Sequence, residues 1–130
     1  MNLFISSQAR LSTIGGEVVI KQETDYPWSG NVRISVDPDT EGGLFSLGIR
    51  IPSWTGKAPL DGGLYRYITR PDNRVRIDVN GKRAQVRTTN GFAVIERSWK
   101  RGDVVEVTLP MEPRFIEARD EVEADRGRVS

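Results

Sequence analysis

A chain of 130 residues, 37% hydrophobic and 28% charged, is sized for one domain with a single core. Its 19 basic and 18 acidic side chains leave a net charge of +1, without the basic excess of a nucleic-acid module. Cysteine and histidine are both absent, which excludes a thiol nucleophile, a serine–histidine or cysteine–histidine pair, a histidine general base, disulfides and the usual zinc ligands.

Alternation governs the chain from its first third onward. After the Gly15-Gly16 turn, Val18-Val19-Ile20 has the composition of a strand. A loop, Thr24-Asp25-Tyr26-Pro27-Trp28, follows; its Tyr26-Pro27 bond is a candidate for the cis form. Val32, Ile34 and Val36 then alternate with Arg33 and Ser35. Asp37-Pro38-Asp39 and Glu41-Gly42-Gly43 supply turn chemistry before Phe45, Leu47, Ile49 and Ile51 repeat the pattern. Val75, Ile77 and Val79 do so again, and Asn80-Gly81 directly after them is a strong hairpin signal. Asn90-Gly91 opens a strand at Phe92-Ala93-Val94-Ile95. Arg101-Gly102-Asp103 turns the chain into Val105, Val107 and Leu109, spaced by Glu106 and Thr108. The tail from Phe115 to Val122 has the pattern of a helical turn or two.

Short period-two strands separated by turns predict an all-β fold, an antiparallel β-sandwich of jelly-roll-like form, over residues 1–130 as one domain. The inward set is Phe45, Leu47, Ile49, Ile51, Val75, Ile77, Val79, Val94, Val105, Val107 and Leu109. No apolar run reaches membrane-spanning length, and no membrane or nucleic-acid partner is expected. The arginines between Arg66 and Arg87 mostly alternate with apolar residues, as on a solvated strand face.

One connection breaks the rhythm. Residues 53–73 carry Pro59, Gly62, Gly63, Pro71 and the pair Tyr65 and Tyr67, and a connection of that length is usually functional or packed against something. Tyr26, Trp28, Tyr65 and Tyr67 are therefore candidates for docking or sugar contact. An aromatic face suits the C–H groups of a sugar ring, but the simpler reading of Tyr26 and Trp28 is closure of the sandwich end. Leu60, Leu64 and Ile68 accompany the tyrosines, and aliphatic side chains favour a protein partner over a sugar. Trp54 and Trp99 read as large anchors at sandwich edges. Glycoside hydrolysis needs only two carboxylates, and Asp25, Asp61, Asp72, Asp103 and Glu96 are the candidates for a dyad. All but Glu96 adjoin turn residues, where aspartate bonds the local backbone, and nothing pairs them. No catalytic, cofactor-binding or metal-ligating residue is assigned.

Several strings in order resemble glycoside hydrolase family 127, whose members include β-L-arabinofuranosidases. They are Thr24-Asp25-Tyr26-Pro27-Trp28-Ser29-Gly30, Ile49-Arg50-Ile51-Pro52-Ser53-Trp54, Leu64-Tyr65-Arg66-Tyr67, Val79-Asn80-Gly81, the run from Gly91 to Asp103, and Leu109-Pro110-Met111. Asn2-Leu3-Phe4-Ile5 is similar to the strand entering this region, and Asp125-Arg126-Gly127-Arg128-Val129 to the approach to a further strand. The resemblance implies a β-sandwich downstream of a catalytic (α/α)6 barrel. That barrel would carry a cysteine nucleophile, a zinc site of cysteines and a glutamate, and an acid/base glutamate. None of these can be placed on a chain without cysteine, so this chain is expected to be a fragment beginning after the catalytic cysteines, with no cofactor of its own. Its expected partner is the parent barrel, with weak carbohydrate contact as the alternative.

Overall fold

The computed structural model describes residues 1–40, 42–56, 63–68, 74–119 and 122. Eleven strands are present among them: β1 (Ser7–Thr13), β2 (Gly16–Thr24), β3 (Asn31–Pro38), β4 (Gly43–Arg50), β5 (Tyr65–Tyr67), β6 (Arg76–Val79), β7 (Lys82–Arg83), β8 (Arg87–Thr89), β9 (Phe92–Trp99), β10 (Asp103–Thr108) and β11 (Ile116–Ala118). One 3-10 turn, Ser53–Thr55, follows β4. Every strand pair is antiparallel.

A six-stranded sheet, ordered β1-β2-β3-β10-β6-β7, packs on a three-stranded sheet, β4-β9-β8, and β5 pairs with β11 as a separate flap. The pairs β3–β10 and β4–β9 are nested in sequence, so the chain changes sheet between β3 and β4 and again between β9 and β10. This wrapping gives the sandwich its jelly-roll-like character. The core lies between the sheets. Val18, Ile20, Val32, Ile34, Val36, Ile77, Val79, Val105 and Val107 face Leu47, Ile49, Ala93, Ile95 and Trp99, and Phe4 and Leu109 join the same cluster.

The two Asn-Gly hairpins form where the sequence placed them. Asn80 and Asn90 both adopt φ of 50°, with Gly81 at 73° and Gly91 at 77°. Two consecutive left-handed residues match the twist of a tight hairpin, and asparagine followed by glycine tolerates them best. The Tyr26-Pro27 bond is cis.

Two expectations need correction. The tail holds a strand where a helical turn was expected. Ile116, Glu117 and Ala118 pair with Tyr67, Arg66 and Tyr65, a long-range match invisible to local periodicity. Val94 belongs to the other face of β9: Ala93 and Ile95 are buried, while Val94 is half-buried opposite Gly48 and Arg87. Four successive apolar residues gave no parity to read there. Phe45, Ile51 and Val75 are half-buried at the margin of the core, and the other inward residues are buried. Pro59, Leu60, Asp61, Gly62, Pro71, Asp72 and the stretch 125–129 lie outside the described residues.

Candidate functional site

One end of the sandwich is closed by short turns: β1–β2, β6–β7 and β9–β10 all reverse there, and β3 leaves for β4. The other end carries the N-terminal segment, the loop between β2 and β3, and the connection after β4. All four aromatic candidates lie on this second end or on the flap beside it.

The N-terminal segment is stitched into place by backbone and side-chain bonds. The Met1 amine donates to Gly48 O at 2.6 Å, and Arg50 N donates to Met1 O at 2.9 Å. Gln22, buried on the inner face of β2, donates through Nε2 to Leu3 O at 3.0 Å and Ile5 O at 2.7 Å. Phe4 is thereby held in the core, where its ring meets Tyr26 at 5.7 Å between centroids. Tyr26 and Trp54 line a common cavity of about 430 Å³ together with Leu3, Arg50 and Pro52. Tyr67 Oη donates to Trp54 O at 3.3 Å, and Arg114 lies over the Tyr67 ring at 4.6 Å. Tyr65 sits two residues away on β5, half-buried. Three of the four candidates thus belong, wholly or in part, to the packing of this end.

Trp28 differs. It is 91% exposed, at the tip of a turn in which Trp28 N and Ser29 N both donate to Asp25 O. The turn is pinned at its base by Gly30. A side chain there would collide with the Leu109 carbonyl, and Leu109 N donates to Gly30 O at 2.8 Å. The glycine is needed for close approach of two backbones.

Asp25 and Ser29, on either side of this tip, also line a groove of about 990 Å³ along the outer face of the six-stranded sheet. Sequence reading singled out none of this floor. Register builds it: Glu23 lies opposite Arg33, Arg33 opposite Glu106, and Glu106 opposite Asp78. Lys21 bonds Glu23 at 2.8 Å, Arg33 bonds Glu106 at 3.2 Å, and Arg76 bonds Asp78 at 2.6 Å. The hydrogen bond and charge of Lys21 hold the Glu23 carboxyl below its usual range, and Asp78 pushes the Arg76 guanidinium further up. Asp78 is the buried member, 8% exposed, and its Oδ1 is buried with no hydrogen-bond partner.

Asp61 and Asp72 lie outside the described residues, and the other carboxylate candidates stand on different parts of the sandwich. Asp103 closes the opposite end, where it accepts from Asn80 Nδ2 at 2.8 Å and Lys100 N at 3.0 Å, with Arg97 at 3.6 Å. Burial raises its pKa, but those bonds and the nearby cations outweigh burial and hold it below the usual value. Glu96 points outward from β9, opposite Ser46. Among the described residues no group of three or more acidic, histidine or cysteine side chains could hold a metal. The residues of this chain do not fit a zinc site built from cysteines.

Comparison with known proteins supplies the context. Residues 1–111 match the family model for the middle domain of GH127 β-L-arabinofuranosidases. The chain is 26% identical to a non-reducing end β-L-arabinofuranosidase of Bifidobacterium longum subsp. longum, over 98% of its own length and 17% of the relative's. A solved GH127 β-arabinofuranosidase matches with 37% identity and a TM-score of 0.85, over 98% of this chain and 20% of that one. A GH127 β-L-arabinofuranosidase from Geobacillus stearothermophilus matches with 33% identity and a TM-score of 0.78, over 98% and 18%.

Proposed function

This chain belongs to the family of GH127 β-L-arabinofuranosidase middle domains, and from that premise we propose that it is a non-catalytic domain of a larger glycoside hydrolase. In this reading it braces a catalytic (α/α)6 barrel outside the 130 residues, and the whole enzyme acts on β-L-arabinofuranosides. The nucleophile, the acid/base and any zinc belong to that barrel, and this chain supplies none of them.

The observation that carries the reading is where apolar surface is left open. Leu3, Ile5 and Trp28 are exposed at the loop-bearing end, and Leu64, Ile68 and Phe115 on the adjoining flap. The flap hangs from that end, with Arg114 Nη1 donating to Gly56 O at 3.0 Å and Tyr67 Oη to Trp54 O at 3.3 Å. Apolar side chains gathered beside packed aromatics suit a protein surface, and a rigid sandwich suits a support. The chain spans 17–20% of the length of the relatives described above, which leaves most of such a protein to supply the partner.

The test has two arms. The purified chain should hydrolyse no aryl arabinofuranoside, and adding it to a separately produced catalytic barrel should raise the barrel's Tm. Leu64→Ser with Phe115→Ser should remove that gain. Hydrolysis that survives repurification and disappears in a carboxylate variant would sink the non-catalytic reading. A Tm gain indifferent to the flap substitutions would sink the docking surface.

A further inference from the structure

We propose that the groove on the outer face of the six-stranded sheet, with Trp28 beside it, is a binding subsite for a neutral saccharide. It shares only Trp28 with the apolar surface invoked for docking, and it takes from the family reading only the choice of sugars to try.

Charge argues for the ligand class. The described residues lining the groove include three cations, Lys21, Arg33 and Arg76, and four carboxylates, Glu23, Asp25, Asp78 and Glu106. Each cation is paired with a carboxylate. An anion such as a phosphate therefore meets no positive field, and a cation meets no cluster of free carboxylates. A sugar hydroxyl is different, because it donates and accepts at once. Paired guanidinium and carboxylate groups offer both functions side by side and in fixed orientation. The Arg33–Glu106 pair is about half exposed on both partners. Exposed pairs of this kind add little to folding stability, so stability alone does not account for an ordered row of them.

Asp78 is the second, independent observation. It lines the groove, is 8% exposed, and keeps one carboxylate oxygen, Oδ1, without a partner while Oδ2 accepts from Arg76 Nε. A buried carboxylate oxygen left unpaired is unfavourable. The terminal torsion of aspartate is soft, and a turn of the carboxylate within the Arg76 pair is what would bring that oxygen to a hydroxyl in the groove. Trp28 supplies what the polar floor lacks. Its ring projects from the turn whose flanking residues, Asp25 and Ser29, form part of the wall, and it is 91% exposed. A ring held open on the turn that bounds a groove of hydrogen-bonding pairs is the combination a pyranose or furanose needs, one face for its C–H groups and one for its hydroxyls. The volume of about 990 Å³ accommodates more than one sugar ring.

The experiment is an amide NMR titration of this chain with L-arabino-, galacto- and xylo-oligosaccharides and, separately, inorganic phosphate. The expected result is saturable shifts at Arg33, Asp78 and Glu106 and at the Trp28 indole N–H with at least one saccharide. Trp28→Ala, Arg33→Gln and Glu106→Gln should each weaken binding about tenfold, with the dispersion of each spectrum reporting an intact fold. A response to any of the three saccharides supports the subsite; a response to galacto- or xylo-oligosaccharides alone also separates it from the arabinofuranoside reading. No saturable shift up to about 50 mM overturns the proposal. So do shifts confined to Trp28 and indifferent to the Arg33 and Glu106 variants, and so does tighter binding of phosphate than of every sugar.

Discussion

Trp99 and Trp28 stand near opposite ends of one sandwich and have opposite fates. Trp99 is 0% exposed: Phe45 stacks on it at 5.7 Å, Arg97 lies over it at 5.4 Å, and its Nε1 donates to Phe45 O at 3.0 Å. Beside it Asp103 ties the β9–β10 turn to Asn80 of the neighbouring hairpin. Every polar group at this end described above has a partner on another element. Trp28 is 91% exposed and touches the fold mainly through its backbone. The difference lies in what surrounds each ring. Short turns bring neighbouring strands together over Trp99, whereas the loop from Asp25 to Gly30 lifts Trp28 clear of them. The closed end holds the fold, with Ile14 and Leu44 exposed at its rim, and the open end lifts an aromatic ring clear of the strands.

Substitutions sharpen that contrast. Trp99→Ala should cost about 3–5 kcal/mol, because it empties a site that the surrounding strands cannot refill. Urea unfolding would show it, and a loss below about 1 kcal/mol would mean that the closed end is not where stability resides. Asp103→Asn should cost about 1–3 kcal/mol at neutral pH through the loss of charge-assisted bonds to Asn80, Lys100 and Arg97. The folded-state pKa of Asp103 is lowered, so its contribution is complete above the unfolded pKa and fades as pH falls through the folded value. Stability curves of the parent and the variant should therefore converge below about pH 4. A gap that stays constant into acid would assign the effect to packing instead. Trp28→Ala should change stability by no more than about 0.5 kcal/mol while removing most of the fluorescence that acrylamide quenches. A large loss of stability would show that the open end also bears on the fold.

Much of this architecture was legible in advance. Alternation identified β3, β4, β6 and β10, and the two Asn-Gly pairs fell where left-handed residues were required. Strands that are almost wholly exposed or very short left no local trace. Ser7–Thr13 exposes nearly every residue, so β1 carries no apolar rhythm, and β5 and β11 are three residues each. In β9 the parity became readable only at Trp99, four residues beyond Ile95. The candidate aromatics were legible as types, but their roles depended on burial. The groove was illegible for a different reason. Lys21, Arg33, Arg76 and Glu106 come from four strands, and only the order β2-β3-β10-β6 lays them in adjacent rows. The sequence reading of the arginine-rich stretch as a solvated strand face holds for Arg76, which faces outward, but it could not name the neighbours.

The two outermost strands of the six-stranded sheet carry a consequence for crowding. At one margin β7 is two residues long, Lys82 and Arg83, and both are basic. At the other, β1 pairs only with β2 among the described residues, so its outer edge offers backbone groups along seven residues but only one large aliphatic side chain, Leu11. A second copy approaching β7 edge to edge would set like charges against each other across very few hydrogen bonds. One approaching β1 would find hydrogen-bonding groups without an apolar strip to zip along. The two margins of the described sheet thus discourage pairing by two different means, and the concentrated chain should resist growing into ribbons through either one.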